Sequence, residues 1–209
     1  MISVNICSPT LDLAAPWDDL VQRASPNVFM NPAALTVANE IGFARIRVLL
    51  AWDDSAEPRK LVGIWAFQVR RISRLWPALL EALPYNYAFL SSPVVDPAFV
   101  GVVVPAFLSA IRTSPLLPNV INLKSLDAEA TSFDMLVKTL TEQGRAQLRL
   151  SESTRPFATP ELGVKRSGST RKKLRQDWNR LSAAGAVDIV NNGAPDTAEA
   201  FETFLKLEA

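Results

Sequence analysis

The sequence predicts an α/β (α+β) fold, a mixed β-sheet flanked by helices. Three observations lead there. Residues 2–7 (ISVNIC) alternate apolar and polar side chains, the period-two mark of a half-buried strand. Between residues 45 and 76 several strand-like runs follow one another without a helical pattern between them, which favours antiparallel pairing. From residue 97 onward the order changes to helix, strand, helix, strand.

After the first strand, residues 16–24 (PWDDLVQRA) read as a helix, with Pro16 at a first helical position and Asp18 and Asp19 at the positive dipole end. A second helix is expected over residues 32–40, capped by Asn31 and ended at Gly42. Strands are expected over 45–52, 60–70 and 71–76. The first two are joined by the turn-rich DDSAEP, and a further short strand is expected over 87–91. Residues 97–112 then form a helix. Its apolar window, residues 97–111, is too short for a membrane span of about 20 residues and contains a proline, so it belongs in a core. A strand at 120–123, a helix at 132–143 with Ser132 as N-cap and Gly144 past its end, and a strand at 146–150 complete this part.

Residues 151–168 are rich in Ser, Pro and Thr and read as a connecting loop, with a short extended piece at Phe157. A helix over 169–184 stopped by Gly185, a strand over 186–190 and a last helix from Pro195 follow. Phe201, Phe204, Leu205 and Glu208 still keep helical period at the end of the sequence, so the chain is expected to be a piece of a longer protein.

Composition narrows the chemistry. The 209 residues include no histidine, which removes Ser-His-Asp and Cys-His catalysis and imidazole metal sites. One cysteine, Cys7, allows neither an internal disulfide nor a thiolate zinc cluster, and its apolar surroundings mark a buried, inert thiol. No metal site is expected. No secretory signal and no span are visible, so the expected compartment is the cytoplasm.

The net charge of +1 hides a strong asymmetry. Residues 165–180 carry seven cations and one acid, Asp177, a net of +6; the remaining 15 cations face 20 acids, a net of −5. Such an imbalance points to an anionic partner. In this helix Leu174, Trp178 and Leu181 fall at i, i+4 and i+7, a narrow seam expected to dock on the body. Arg171, Lys172 and Lys173 crowd the first turn, where the positive dipole end disfavours cations by about 0.3–1 kcal/mol each. Free backbone N–H groups, Ser167 and Ser169 share that place. Two readings stand: a solvated polar face, or an anion site built from Ser169, Arg171, Lys172 and Arg175. Of known phosphate loops, GxxxxGK[ST] and GxGxxG are absent; Lys165-x-x-Gly168-x-Thr170 approaches an acyl-CoA pyrophosphate loop and departs from it at both ends.

The C-terminal passage resembles the CelD/BcsL-type acetyltransferases of the GNAT superfamily and, more distantly, the Fem-type aminoacyltransferases. The residues that carry the likeness are Ser167, Arg171, Leu174, Arg175, Leu181, Gly185 and Val187, then Phe201, Phe204, Leu205, Leu207, Glu208 and Ala209. Upstream, Trp17, Asn31-Pro32 and Gly63 agree in order. The resemblance implies two GNAT-like domains in tandem. Residues 1–160 would be the N-terminal one and 161–209 the basic helix, a strand and the start of a second that holds the acetyl-CoA site. It implies acetyl transfer from acetyl-CoA to an amine-bearing acceptor, with a role in cellulose or other cell-envelope polysaccharide production, and a missing C-terminal domain as partner. No catalytic base can be assigned among Glu81, Tyr85, Tyr87 and Glu161. Tyr85, Asn86 and Tyr87, after Pro84, are candidates for lining an acceptor pocket; packing and turn formation explain them equally. Two other functions remain open: a polyanion or nucleic-acid module using the basic helix, disfavoured by the sequence pI of 7.8 and by cations spread around the helix, and a non-catalytic docking domain.

Overall fold

The computed structural model describes residues 1–71, 73, 75–86, 88–154, 167–188 and 197–208. The chain divides into two compact units, Met1–Arg149 and Leu150–Ala209.

The first unit is a mixed β-sheet flanked by helices. Strand β1 (Ile2–Cys7) pairs antiparallel with β2 (Ile46–Asp53), β2 with β3 (Lys60–Arg70), and β3 with β4 (Leu79–Glu81). A two-residue strand β5 (Val94–Val95) also pairs antiparallel with β3, and β6 (Val120–Asn122) runs parallel to β4. The order across the sheet is β1-β2-β3-β4-β6. The parallel β4–β6 pair follows from a helical crossover, as parallel pairing requires.

Helices α1 (Ala14–Val21) and α2 (Pro32–Glu40) separate β1 from β2; α3 (Val100–Thr113) and α4 (Thr131–Glu142) flank β6 in sequence. Asn31 caps α2 as expected, its side-chain oxygen accepting from the Ala33 amide at 2.9 Å, and Gly42 takes the left-handed φ of +72° that ends the helix. Helix α3 buries Val100, Val103, Val104, Phe107, Leu108 and Ile111, in keeping with an apolar window expected in a core. A hypothetical Cβ on Gly63 would lie 2.7 Å from Val103 Cγ1 and 3.2 Å from Phe107 Cζ, so β3 needs a glycine where α3 crosses it. Arg23 fastens α1 to the start of α3: its Nε donates to Asp96 at 2.8 Å while the other oxygen of that carboxylate accepts from the Ala98 amide.

Several expectations are corrected. Helix α1 begins at Ala14 after a 3-10 turn over Leu11–Leu13, so Asp18 and Asp19 lie past its first turn. Thr131 opens α4, with Ala130 at the cap and no side-chain bond, so Ser132 is not the N-cap; Gly144 does end the helix, at φ +61°. The described residues of 71–76 and 87–91 form no strand; that edge of β3 is taken by β4 and β5 instead, and the loop over 88–92 is held by side-chain bonds. Residues 146–150 are also irregular, with Leu148 and Leu150 exposed: alternation alone cannot hold a strand that has no neighbour to pair with.

The second unit holds helices α5 (Gly168–Ala184) and α6 (Thr197–Glu208). Residues 186–188 are not a strand, and residues 189–190 of that expectation lie outside the described residues, as do Phe157 and Pro195. Leu174, Trp178 and Leu181 are 46–55% exposed, so the α5 seam is not a buried one. Phe201, Phe204 and Leu205 on α6 are likewise exposed.

Candidate functional site

The first place to look for chemistry is the edge of β3, because two strands compete for it. β4 pairs with Gln68–Arg70 and β5 with Gly63–Ile64, which leaves an interval at residues 65–67. Backbone polar groups in such an interval must find other partners or be hydrated. Here they find partners. The Ala66 amide donates to Met30 Sδ at 3.3 Å, and the Trp65 indole donates to the Ser91 carbonyl at 2.8 Å. Buried Asn27 donates to the carbonyls of Leu90 and Ser92 and accepts from the Phe29 amide. Ser91 donates its hydroxyl to the Lys124 carbonyl, and Ser92 Oγ accepts from the Asp127 amide. Beside this interval, the crevice lined by Trp65, Val104, Phe133 and Leu136 has no room for a water molecule. The divergence is a closed wall.

At its β4 end sits Glu81, buried at 5% exposure. Register places it opposite Gln68 on β3 and Asn122 on β6. Its Oε2 accepts from Arg70 Nη1 at 3.3 Å; Oε1 takes Lys124 Nζ as an ion pair and Asn122 Nδ2 at 3.5 Å. The two cations are half-exposed while the carboxylate is not. With both oxygens engaged, Glu81 clamps β3, β4 and the segment after β6 and is not a free base. Sequence order hides this cluster, since only strand pairing brings residues 70, 81 and 124 together.

Of the sequence-predicted pocket, Tyr85 is half-buried and packs against the core, and burial pushes its hydroxyl above the ordinary tyrosine range. Asn86 is exposed in the turn beside it, and Tyr87 lies outside the described residues. Neither Tyr85 nor Asn86 lines the crevice at Trp65 or the recess described next.

That recess, about 250 Å³ and open to solvent, is lined by Arg45, Arg47, Val69, Ala78 and the turn at residues 115–118. Its two arginines fall at the start of the strand expected over 45–52 and carried no further mark in the sequence. Their meaning depends on the turn after α3, which no local pattern connects to β2.

In the second unit, α5 presents its cations to solvent: Arg171, Lys172, Lys173, Arg175 and Arg180 are all exposed, and none forms an ion pair with a described carboxylate. Ser167 caps the helix, accepting from the Thr170 amide at 3.2 Å, and its hydroxyl lies 2.9 Å from Ser169 Oγ and 2.8 Å from Thr170 Oγ1. The cap thus occupies one of the free donors. The remaining first-turn amides, the Ser169 hydroxyl and the cations Arg171, Lys172 and Arg175 stay together at this end. Lys165 and Arg166 lie outside the described residues, and with them the first half of the near-miss phosphate loop.

Acetyl-CoA can be tested against the first unit. A nucleotide pyrophosphate needs free amides at a helix start or glycine loop. The 3-10 turn at Pro97–Phe99 that leads into α3 carries a proline and is capped by the chain's own Asp96 carboxylate, and α2 begins with Pro32 under the Asn31 cap. Neither of these two helix starts offers a pyrophosphate cradle. Among the described residues no His/Cys/Asp/Glu group could hold a metal ion, and no helix is long and apolar enough to cross a membrane.

No family model matches the chain, and no curated protein matches it. Among solved structures it is similar to an acetyltransferase of Trypanosoma brucei at 14% identity and a TM-score of 0.41, over 74% of this chain and 100% of the other. A ribosomal-protein-alanine N-acetyltransferase of Brucella melitensis biovar Abortus gives 14% and 0.41 over 76% and 100%. The aminoglycoside enzyme AAC(6')-Iy, solved with a bisubstrate analogue of CoA, gives 14% and 0.42 over 76% and 99%. At that identity and overlap the likeness assigns this chain neither a family nor an activity.

Proposed function

We propose that the chain belongs to a GNAT-type acyltransferase that moves an acetyl group from acetyl-CoA to an amine-bearing acceptor. The observation that carries this reading is the sheet: four antiparallel strands β1 to β4, then a helical crossover through α3 to the parallel β6, with helices flanking. It is joined by the resemblance of residues 167–209 to CelD/BcsL-type enzymes. Residues 1–160 then form the first lobe. Residues 161–209 lead into the lobe that the resemblance makes responsible for the acyl donor. Ser169, Arg171, Lys172 and Arg175 contribute cations and donors to the acceptor side, and Tyr85, Asn86 and Tyr87 are candidates for its lining. A role in cellulose or envelope polysaccharide production belongs to the same reading.

A second reading is favoured by one observation, the five exposed cations of α5 that pair with no described carboxylate: the helix binds a polyanion. The experiment that separates the two uses the whole gene product. Acetyl-CoA is titrated calorimetrically, and thiol release is followed with amine acceptors, in wild type and in Arg171→Ala with Arg175→Ala. Saturable acetyl-CoA binding, with turnover lowered by the double variant, supports the acyltransferase. Absent acetyl-CoA binding together with salt-sensitive oligonucleotide binding that the double variant abolishes overturns it.

A further inference from the structure

The recess at the start of β2 is distinct from the places considered above. Arg47 lies on β2 and Arg45 immediately precedes its first residue, Ile46; both line the recess. Register puts Arg47 opposite Phe67, and the Arg45 carbonyl accepts from the Val69 amide at 3.0 Å, so Val69 floors the space between their side chains. The turn at residues 115–118 forms the far wall with Pro115, Leu116, Leu117 and Pro118.

Three features of this recess call for a ligand. First, neither arginine forms an ion pair with a described carboxylate, and no acidic residue is in the lining. Second, Arg47 is held in place: its Nη1 donates to Ser8 Oγ at 2.8 Å, which leaves the rest of a planar fork for an oxyanion. Third, the other walls are apolar, and Leu116 is left 69% exposed. The volume of about 250 Å³ falls just under the range of roughly 300–1,000 Å³ typical of drug-sized ligands. Arginines that merely cover apolar surface would fill such a space with their stems; here the space is open.

The geometry points to a binding site for a small amphiphilic oxyanion, a carboxylate or phosphate on a compact apolar group, with Arg45 and Arg47 taking the charge and Val69, Leu116 and Leu117 the apolar part. This assignment is independent of the acyltransferase reading and of the basic helix.

The test uses the full chain with Arg171→Ala and Arg175→Ala as background, so that α5 does not supply the signal. Phenyl phosphate, inorganic phosphate and benzyl alcohol are the probes, titrated at low ionic strength by NMR. Phenyl phosphate is expected to bind saturably and at least tenfold more tightly than inorganic phosphate, with benzyl alcohol not saturating. Arg45→Gln with Arg47→Gln should weaken phenyl phosphate tenfold or more at unchanged melting temperature. Leu116→Ala should shrink the advantage over inorganic phosphate several-fold without changing inorganic phosphate itself. A second readout is Cys7, whose thiol burial pushes up while the Arg47 guanidinium pulls it back. An oxyanion on Arg47 weakens that pull, so phenyl phosphate should slow Cys7 alkylation in wild type and leave it unaltered in Arg47→Gln. Non-saturating phenyl phosphate, binding indifferent to the two arginine changes, or equal affinity for both phosphates would each overturn the assignment.

Discussion

Gly63→Ala isolates the contact on which the helix–sheet layer of the first unit depends. The added Cβ would sit 2.7 Å from Val103 Cγ1 and 3.2 Å from Phe107 Cζ, against a comfortable carbon–carbon separation of about 3.5–4.0 Å. Neither neighbour has free space to retreat into, since both are fully buried. Val103 is also β-branched, and on a helix it has essentially one good rotamer. The helix must therefore back away by several tenths of an ångström or Val103 must leave its well. Overpacking of this kind costs about 1–3 kcal/mol, offset by about 0.4–1 kcal/mol from the smaller unfolded-state entropy of alanine. A net loss of about 1–2 kcal/mol is expected, read as a lower urea midpoint at unchanged slope. Two companions sharpen the measurement. Gly168→Ala, where a Cβ meets nothing within 4 Å, should not destabilise. Val103→Ala combined with Gly63→Ala should cost less than the sum of the single changes, because the new methyl group fills the vacated space. A Gly63→Ala protein as stable as wild type, or additive single changes, would refute the packing argument.

Three further outcomes are expected. Glu81→Gln should destabilise by about 1.5–3 kcal/mol, while Arg70→Gln with Lys124→Gln should cost more, toward 3–5 kcal/mol, because half-exposed cations rehydrate and a buried carboxylate does not; the reverse order in denaturant titrations would count against the clamp. Tyr85, whose hydroxyl burial pushes upward, stays protonated in the folded chain at a pH where the unfolded chain has begun to ionise. Its contribution is complete below the ordinary tyrosine value of 10.0 and is lost as pH rises through the folded value, so Tyr85→Phe should flatten the alkaline fall in stability; an unchanged alkaline limb would show that this hydroxyl does not matter. Trp178→Ala should cost about 1 kcal/mol or less by thermal melting, given a side chain that is half-exposed; a loss of about 3–5 kcal/mol would restore the buried seam.

What the sequence made legible was whatever local chemistry decides. Asn31-Pro32 with Gly42 delimited α2, the apolar window at residues 97–111 marked α3 as a core helix, the alternation at residues 2–7 located β1, and the turn-rich DDSAEP placed β2 and β3 on either side of it. Gly63 stood out as a glycine inside a strand, and the close approach of α3 is its reason. The failures share a cause. The described residues of 71–76 and 87–91, and residues 146–150, have strand-like composition, yet whether a short run becomes a strand depends on a free edge to pair with. The β3 edge was already divided between β4 and β5. The Glu81 cluster and the arginine recess escaped for a related reason: each is assembled from segments tens of residues apart, and a lone glutamate or an alternating arginine carries no mark of its eventual neighbours.

The distribution of satisfied and unsatisfied charge bears on where chemistry can occur. In the first unit the buried polar groups near the β3 edge are consumed structurally: Asn27, Ser91, Ser92 and Trp65 bind loop to sheet, Asp96 binds Arg23 and caps its own helix, and Glu81 binds three donors. A carboxylate so engaged cannot accept a substrate proton without breaking the clamp that positions it, so Glu81→Gln should affect any activity chiefly through stability. Among the described residues, cations with no carboxylate partner include Arg45 and Arg47 in one unit and the α5 set in the other. Cations at these places can bind and orient anions. An acyl-transfer reaction involving this chain then draws its base from a carboxylate elsewhere in the protein, from the substrate amine itself, or from water. The pH profile of transfer by the whole gene product distinguishes these sources: a limb that follows the pKa of the acceptor amine across a series of acceptors means the substrate supplies its own free base, whereas a limb that stays fixed across the series belongs to the protein.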